Sequence, residues 1–194
     1  MTQFDQSMQF RAPDAHHETA AASPWVQRFS ALIRDGGEVL DFACGSGRHA
    51  RWLAQHGCRV EAVDRNADAL RALSGIERVR VTQADLEAGD WIYAGRQFDA
   101  VVVTNYLFRP RFEALLDTVR HGGVLIYETF MHGNAQFGRP SSPDFLLAPG
   151  ELLQRCMNGW QVVAFEQGIV SVPRPAAIQR ICAVRGTDAA MTLP

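Results

Sequence analysis

From about residue 24 to residue 157, short and nearly continuous apolar runs alternate with stretches whose apolar residues recur every three or four positions. The first pattern predicts buried strands and the second amphipathic helices. Ser23-Pro24 opens the series as N-cap and first helical residue, Val26, Phe29 and Ile33 give the helix an apolar face, and Gly36-Gly37 end it. Strands are expected at Glu38–Ala43, Arg59–Val63, Arg78–Thr82, Phe98–Thr104 and Gly123–Thr129. Helices fall between them: Arg48–His56; one capped by Asn66 and running to Leu73, with Ala69, Leu70 and Leu73 inward; and Pro110–Arg120, with Phe112, Leu115, Leu116 and Val119 inward. After a Gly/Pro-rich connection at Thr129–Gly150 come a helix at Glu151–Met157 and two β-rich runs, Trp160–Val172 and Ala177–Arg185, that can pair as an antiparallel edge hairpin.

Apolar strands separated by helices imply an α/β fold, a parallel sheet covered by helices on both faces. Its ligands belong beyond the carboxyl ends of the strands. Residues 1–22 lack periodicity and are expected to be a flexible segment, residues 23–186 the folded domain, and 187–194 a tail. Connections as long as 130–150 are usually functional or disordered. This one combines His132, Asn134, Gln136 and Arg139 with Phe130, Phe137 and Phe145, and glycines able to hinge, as a substrate lid would.

Composition narrows the class. The 194 residues suffice for one domain, and 47% hydrophobic with 21% charged residues is ordinary for a soluble protein. A net charge of -2 gives no strong nucleic-acid signal. No apolar run approaches the roughly 20 residues that span a bilayer. The N-terminal acids Asp5, Asp14 and Glu18, without an apolar block, do not have the form of a signal peptide. Cys44, Cys58, Cys156 and Cys182 are scattered, so neither a metal site nor a disulfide framework is expected and a cytoplasmic location is.

Candidate chemistry concentrates in Glu38-Val-Leu-Asp-Phe-Ala-Cys-Gly-Ser-Gly-Arg48 and Val60-Glu-Ala-Val-Asp64. Gly45 and Gly47 let the backbone turn sharply and approach a ligand. Gly45-Ser-Gly-Arg-His-Ala50 also matches a dinucleotide fingerprint, so a nicotinamide cofactor stays open, as does a plain glycine turn. Asp41 separates the two cofactor classes. A pyrophosphate needs positive charge at the loop, whereas S-adenosylmethionine brings an ammonium and a sulfonium and suits an acid. The alternative for Asp41 is a carboxylate that only caps the loop's amides. Asp64, at the end of the second strand, is placed for ribose hydroxyls under either cofactor; Asp85 is placed for an adenine amino group, unless it is only a turn acid, with Leu86 as an apolar flank.

Val39-Leu-Asp-Phe-Ala-Cys-Gly-Ser-Gly47, with Asp64, Asp85, Phe98-Asp99 and Gly122-Gly123, resembles the class I S-adenosylmethionine-dependent methyltransferases over about Ser23 to Arg185. The resemblance implies a Rossmann-like, doubly wound, seven-stranded sheet, mostly parallel with an antiparallel last strand. It implies a methionine-end site at Asp41, Ala43, Cys44, Gly45 and Gly47, a ribose site at Asp64 with Arg65, and an adenine site at Asp85 with Leu86. Ala43 departs from the motif, which often has glycine there. S-adenosyl-L-methionine is then the cofactor and S-adenosyl-L-homocysteine the product. Asn105, which also touches the donor, and Tyr106, Glu128 and His132 are the candidate catalytic groups; Tyr106, Arg109, Phe137 and Arg139 are the candidate acceptor contacts, with Glu128 able to pair with Arg109. The sequence is similar in its late segments to small-molecule methyltransferases, including those linked to tellurite resistance. Asn105-Tyr106-Leu107-Phe108 stands where base-amine methyltransferases carry an Asn/Asp-Pro-Pro-Tyr type of sequence. The expected function is methyl transfer by in-line displacement to a small molecule, in a monomer or homodimer; the rivals are an RNA or protein methyltransferase and a catalytically silent cofactor-binding module.

Overall fold

The computed structural model describes residues 21–186 and 192–194, so most of the expected N-terminal segment and tail lies outside the described residues. Seven strands form one sheet: β1 (Glu38–Phe42), β2 (Arg59–Asp64), β3 (Val79–Gln83), β4 (Phe98–Thr104), β5 (Val119–Phe130), β6 (Trp160–Val170) and β7 (Ala176–Arg185). Their order is β3-β2-β1-β4-β5-β7-β6. The first five pair in parallel, and β7 enters antiparallel between β5 and β6. The order reverses direction beside β1, which opens a crevice at the carboxyl ends of β1 and β4.

Helices α1 (Pro24–Phe29), α2 (Arg48–Gln55) and α3 (Ala67–Arg71) cover one face, where Trp25, Phe29, Leu53 and Leu70 join Val39, Ala62 and Val102 in one core. Helices α4 (Phe112–Asp117) and α5 (Glu151–Arg155) cover the other, burying Phe112, Leu116 and Leu152 against Leu40, Val101 and Tyr127. The central strands β1, β4 and β5 are buried on both sides and mostly apolar, whereas β3 and β6 toward the two edges are more exposed. Among the described residues, no helix is long and apolar enough to cross a membrane.

Several boundaries differ from expectation: α3 ends at Arg71 rather than Leu73, β5 begins at Val119 rather than Gly123, and two further helices are shorter. The first helix stops at Phe29 and tightens into a 3-10 turn at Ser30–Leu32, because the Ser30 hydroxyl donates to the Gln27 carbonyl at 2.8 Å. The helix expected over 110–120 begins as a 3-10 turn at Arg109–Arg111 and ends at Asp117. The Thr118 hydroxyl donates back to the Leu115 carbonyl at 2.6 Å, and the Phe98 amide donates to the Thr118 carbonyl at 2.7 Å, so Val119 already pairs with Phe98 in the sheet. Strand pairing overrides a helical pattern that Val119 happened to continue. Ala69, expected inward, is only half-buried.

The amino end of the sheet is locked by Asp99, which takes Arg34 at 2.6 Å, Arg120 at 2.9 Å and the Glu38 amide at 2.7 Å. Burial works against this carboxylate, yet the Arg34 and Glu38 hydrogen bonds still hold it below the ordinary carboxyl range. Gly47 locks the other end. Its φ is +72°, and an added Cβ would stand 2.7 Å from Cγ of Leu73, which is fully buried. Gly47→Ala is expected to cost ~2–4 kcal/mol, combining left-handed strain with overpacking, as read by urea denaturation; an unchanged midpoint would contradict this packing.

Candidate active site

Between β1 and α2 the chain turns through three left-handed residues, Ala43 (φ +54°), Gly45 (φ +56°) and Gly47 (φ +72°). Ala43 thus adopts a glycine-favoured conformation, at the position where the resembled motif often has glycine, at a cost of ~1 kcal/mol. Asp64, at the end of β2, braces this loop: one carboxylate oxygen accepts the Gly45 amide at 2.8 Å, the other the Asn66 amide at 2.9 Å. Each oxygen keeps a lone pair for a ligand hydroxyl. Asn66 in turn caps α3 through the Asp68 and Ala69 amides.

Asp41 lies behind the loop, 1% exposed, and its carboxylate accepts the Ala50 amide at 2.9 Å. Burial raises its pKa to about 7, against the pull of the Ala50 hydrogen bond and the Arg48 charge. This acid braces the first turn of α2 from inside. A cation arriving at the loop would favour its charged form. Cys44 is also buried, and burial pushes its thiol pKa up, so it lines the loop as an apolar group and not as a nucleophile.

Two cavities open at the carboxyl ends of the strands. The smaller, about 150 Å³, is lined by Ala43, Asp64, Arg65, Asp85, Leu86 and Tyr106. Asp64 and Asp85, with Glu87 as a third carboxylate and Leu86 as an apolar side chain, match the needs of an adenosine: acceptors for ribose and amino hydrogens, and a surface for the base. Asp85 accepts the Glu87 amide at 2.9 Å, a turn that fixes its carboxylate. Tyr106, expected on the acceptor side, lines this cavity instead, its ring edge-on to Phe42 at 5.5 Å. Its buried hydroxyl makes no hydrogen bond of good geometry, although the Glu87 carboxylate stands close enough to help burial raise its pKa.

The larger cavity, about 440 Å³, is lined by Asn105, Phe130, Arg139, Ser142, Phe145 and Arg174, among others. Asn105 holds φ +55° at the end of β4, with its amide bonded to the Glu128 carbonyl at 2.9 Å. It touches the larger cavity while its neighbour Tyr106 touches the smaller, so the two spaces flank one dipeptide. A further cavity of about 370 Å³ sits at the opposite, amino ends of β1 to β4, where Arg59 and Arg96 already satisfy Glu38 and Glu61.

Other expected site residues are placed elsewhere. Arg109 does not meet Glu128; it forms a two-pronged pair with Glu151 at 2.8 Å and donates to the Asp144 and Leu146 carbonyls, tying 130–150 to α5. That segment is a pinned excursion: Met131 bonds Ala177, His132 and Leu147 exchange backbone contacts across to Phe130, and buried Asn134 bridges the Pro140 carbonyl and the Ala177 amide. His132 and Phe137 are exposed on it and line neither cavity. Glu128 accepts Ser23 Oγ at 2.8 Å and Arg180 at 3.2 Å, so both its oxygens serve structure.

Sequence reasoning overlooked His49. It is buried in the first turn of α2, its Nε2 accepts the Ser23 amide at 3.2 Å, and Nδ1 lies 3.4 Å from Thr104 Oγ1. Desolvation lowers its pKa to about 3, so it is neutral, and accepting at Nε2 puts its proton on Nδ1. Ser23, His49, Thr104 and Glu128 thereby clamp the start of α1 to the active end of the sheet. Nothing in the spacing of a lone histidine beside Arg48 announces that contact.

The family described as "Methyltransferase domain" matches residues 15–189. The chain belongs to that family. Among curated relatives it is 36% identical over 100 residues to dTDP-3-amino-3,6-dideoxy-alpha-D-glucopyranose N,N-dimethyltransferase from Streptomyces fradiae, across 50% of this chain and 36% of that protein. It is 33% identical over 84 residues to ribosomal RNA small subunit methyltransferase C from Alcanivorax borkumensis, across 43% of this chain and 26% of that one. The chain therefore spans only about a quarter to a third of the curated relatives it matches. Among solved structures, TehB from Haemophilus influenzae superposes with a TM-score of 0.68 at 19% identity, over 84% of this chain and 61% of that one. The glycopeptide N-methyltransferase MtfA complexed with S-adenosyl-L-homocysteine superposes with a TM-score of 0.60 at 17% identity, over 86% and 90%. These likenesses make the methyltransferase domain's sheet Rossmann-like, with the seven-stranded, terminally antiparallel arrangement expected from the sequence.

Proposed function

We propose that this methyltransferase domain, residues 23–186, moves the methyl group of S-adenosylmethionine to a small-molecule acceptor. One observation carries the reading: an acid-rimmed cavity suited to adenosine and a second, open cavity flank Asn105-Tyr106 at the switch point of the sheet. MtfA, crystallised with S-adenosyl-L-homocysteine, and the Streptomyces fradiae sugar dimethyltransferase support the donor and the acceptor class respectively.

In this reading Asp64 accepts the ribose hydroxyls, Asp85 the adenine amino group, and Leu86 packs on the base, with Arg65 at the rim. Gly45, Gly47, Ala43 and Cys44 form the floor for the methionine end, and buried Asp41 supplies the negative potential behind it. When bound, S-adenosylmethionine supplies an electrophilic methyl: an acceptor lone pair bonds to that carbon while the carbon–sulfur electron pair stays on sulfur, leaving S-adenosylhomocysteine. The protein's work is alignment and exclusion of water, because the transition state disperses charge. Asn105 and the Tyr106 hydroxyl orient the two reactants. Glu128, fully engaged through Ser23 and Arg180, is a positioning residue.

The test is transfer of label from methyl-labelled S-adenosylmethionine into fractionated cell extract. Label in the small-molecule fraction is the expected result; label confined to RNA or to protein would overturn the acceptor class.

A further inference from the structure

We propose that the larger cavity recognises an acceptor carrying a carboxylate or phosphate group next to an apolar body, with Arg139 and Arg174 as the anion-binding pair. This rests on the methyltransferase reading only in making that ligand the acceptor.

The charges are the first argument. Arg139 and Arg174 are the charged side chains among the cavity's lining, and no carboxylate joins them there. Neither makes an ion pair or side-chain hydrogen bond among the described residues. The arginines nearest the excursion behave otherwise: Arg109 is taken by Glu151, and Arg180 by Glu128 and Glu166. The two free guanidiniums come from separate parts of the chain, one in the excursion after β5 and one in the Pro173-Arg174-Pro175 turn between β6 and β7. Two planar donors of like charge converging on one space favour an oxyanion, which each can bind through paired N–H groups.

The rest of the lining sets the body of the ligand. Phe130 is buried in the wall, while Phe145 is 51% exposed at the rim, an uncovered aromatic surface. Ser141 and Ser142 add hydroxyl donors, and Asn105 marks the end that faces the smaller cavity. A volume of about 440 Å³ is that of a small-ligand site. A polynucleotide is disfavoured, because Asp64, Asp85 and Glu87 crowd the adjoining cavity and the chain's net charge is -2.

The experiment titrates benzoate, phenyl phosphate and neutral benzamide into the full chain saturated with S-adenosylhomocysteine, by calorimetry. At least one anion is expected to bind about tenfold more tightly than benzamide, the worth of one charge-assisted contact, and to weaken with salt. The stronger anion distinguishes carboxylate from phosphate. Arg139→Gln and Arg174→Gln are each expected to remove most of that preference while S-adenosylhomocysteine affinity and thermal stability stay unchanged, since neither side chain supports the fold. Equal binding of all three probes, no binding of any, or a preference that survives both substitutions would overturn the proposal. If S-adenosylhomocysteine itself does not bind, the methyltransferase reading fails, and the same titration of the free protein still decides the anion site.

Discussion

Asp41→Asn is expected to make the free protein more stable at pH 8 while weakening its grip on the cofactor. Burial disfavours the charge on this carboxyl and raises its pKa in the fold from the ordinary 3.8 to about 7. Between those two values the unfolded chain has lost the proton and the folded chain keeps it. Raising the pH through this window therefore favours unfolding, and the cost is complete above about pH 7. The full penalty is at most ~4 kcal/mol. Asparagine still accepts the Ala50 amide, but its own NH2 is desolvated at ~1–3 kcal/mol, so the net gain is smaller. Urea denaturation should show the advantage of the variant growing from about pH 4 to about pH 7 and then levelling. An advantage independent of pH would contradict the buried, proton-retaining carboxyl. S-adenosylmethionine affinity should fall roughly tenfold or more, as expected for losing one favourable charge beside a cationic ligand.

Asp64→Ala should have the larger effect on binding. It removes the proposed ribose acceptor and the brace on the Gly45 and Asn66 amides. Two charge-assisted contacts at ~1.5–2 kcal/mol each predict a loss of about a hundredfold or more in S-adenosylhomocysteine affinity. Asp64 is half-buried at the carboxyl end of β2, outside the packed core, so the variant should stay folded. Affinity within threefold of the parent would remove Asp64 from the site.

Most of the sheet was legible because its central strands are mostly apolar on both faces and bounded by glycine, acid or proline. Phe98–Thr104 matches residue for residue, and the Ser23 and Asn66 caps form as their side chains dictate. Where two periods coincide, sequence is ambiguous: Val119 completes a helical stripe yet pairs with Phe98. The grouping of Asp64, Asp85 and Leu86 around one cavity was legible because strand ends fix where they stand. The lining of the larger cavity was not, because it joins distant segments. Arg109 turns to Glu151, Glu128 to Ser23 and Arg180, and Arg174 reaches Arg139's cavity only through the β6–β7 turn. Tyr106 lines the smaller cavity, while the left-handed Asn105 before it lines the larger.

The central claim is that the acid-rimmed cavity takes a phosphate-free adenosine cofactor, and calorimetry of the full chain with S-adenosylhomocysteine and with NAD tests it most directly. The account predicts one S-adenosylhomocysteine molecule bound per chain and no heat with NAD. Binding of NAD, with no S-adenosylhomocysteine binding, would contradict it.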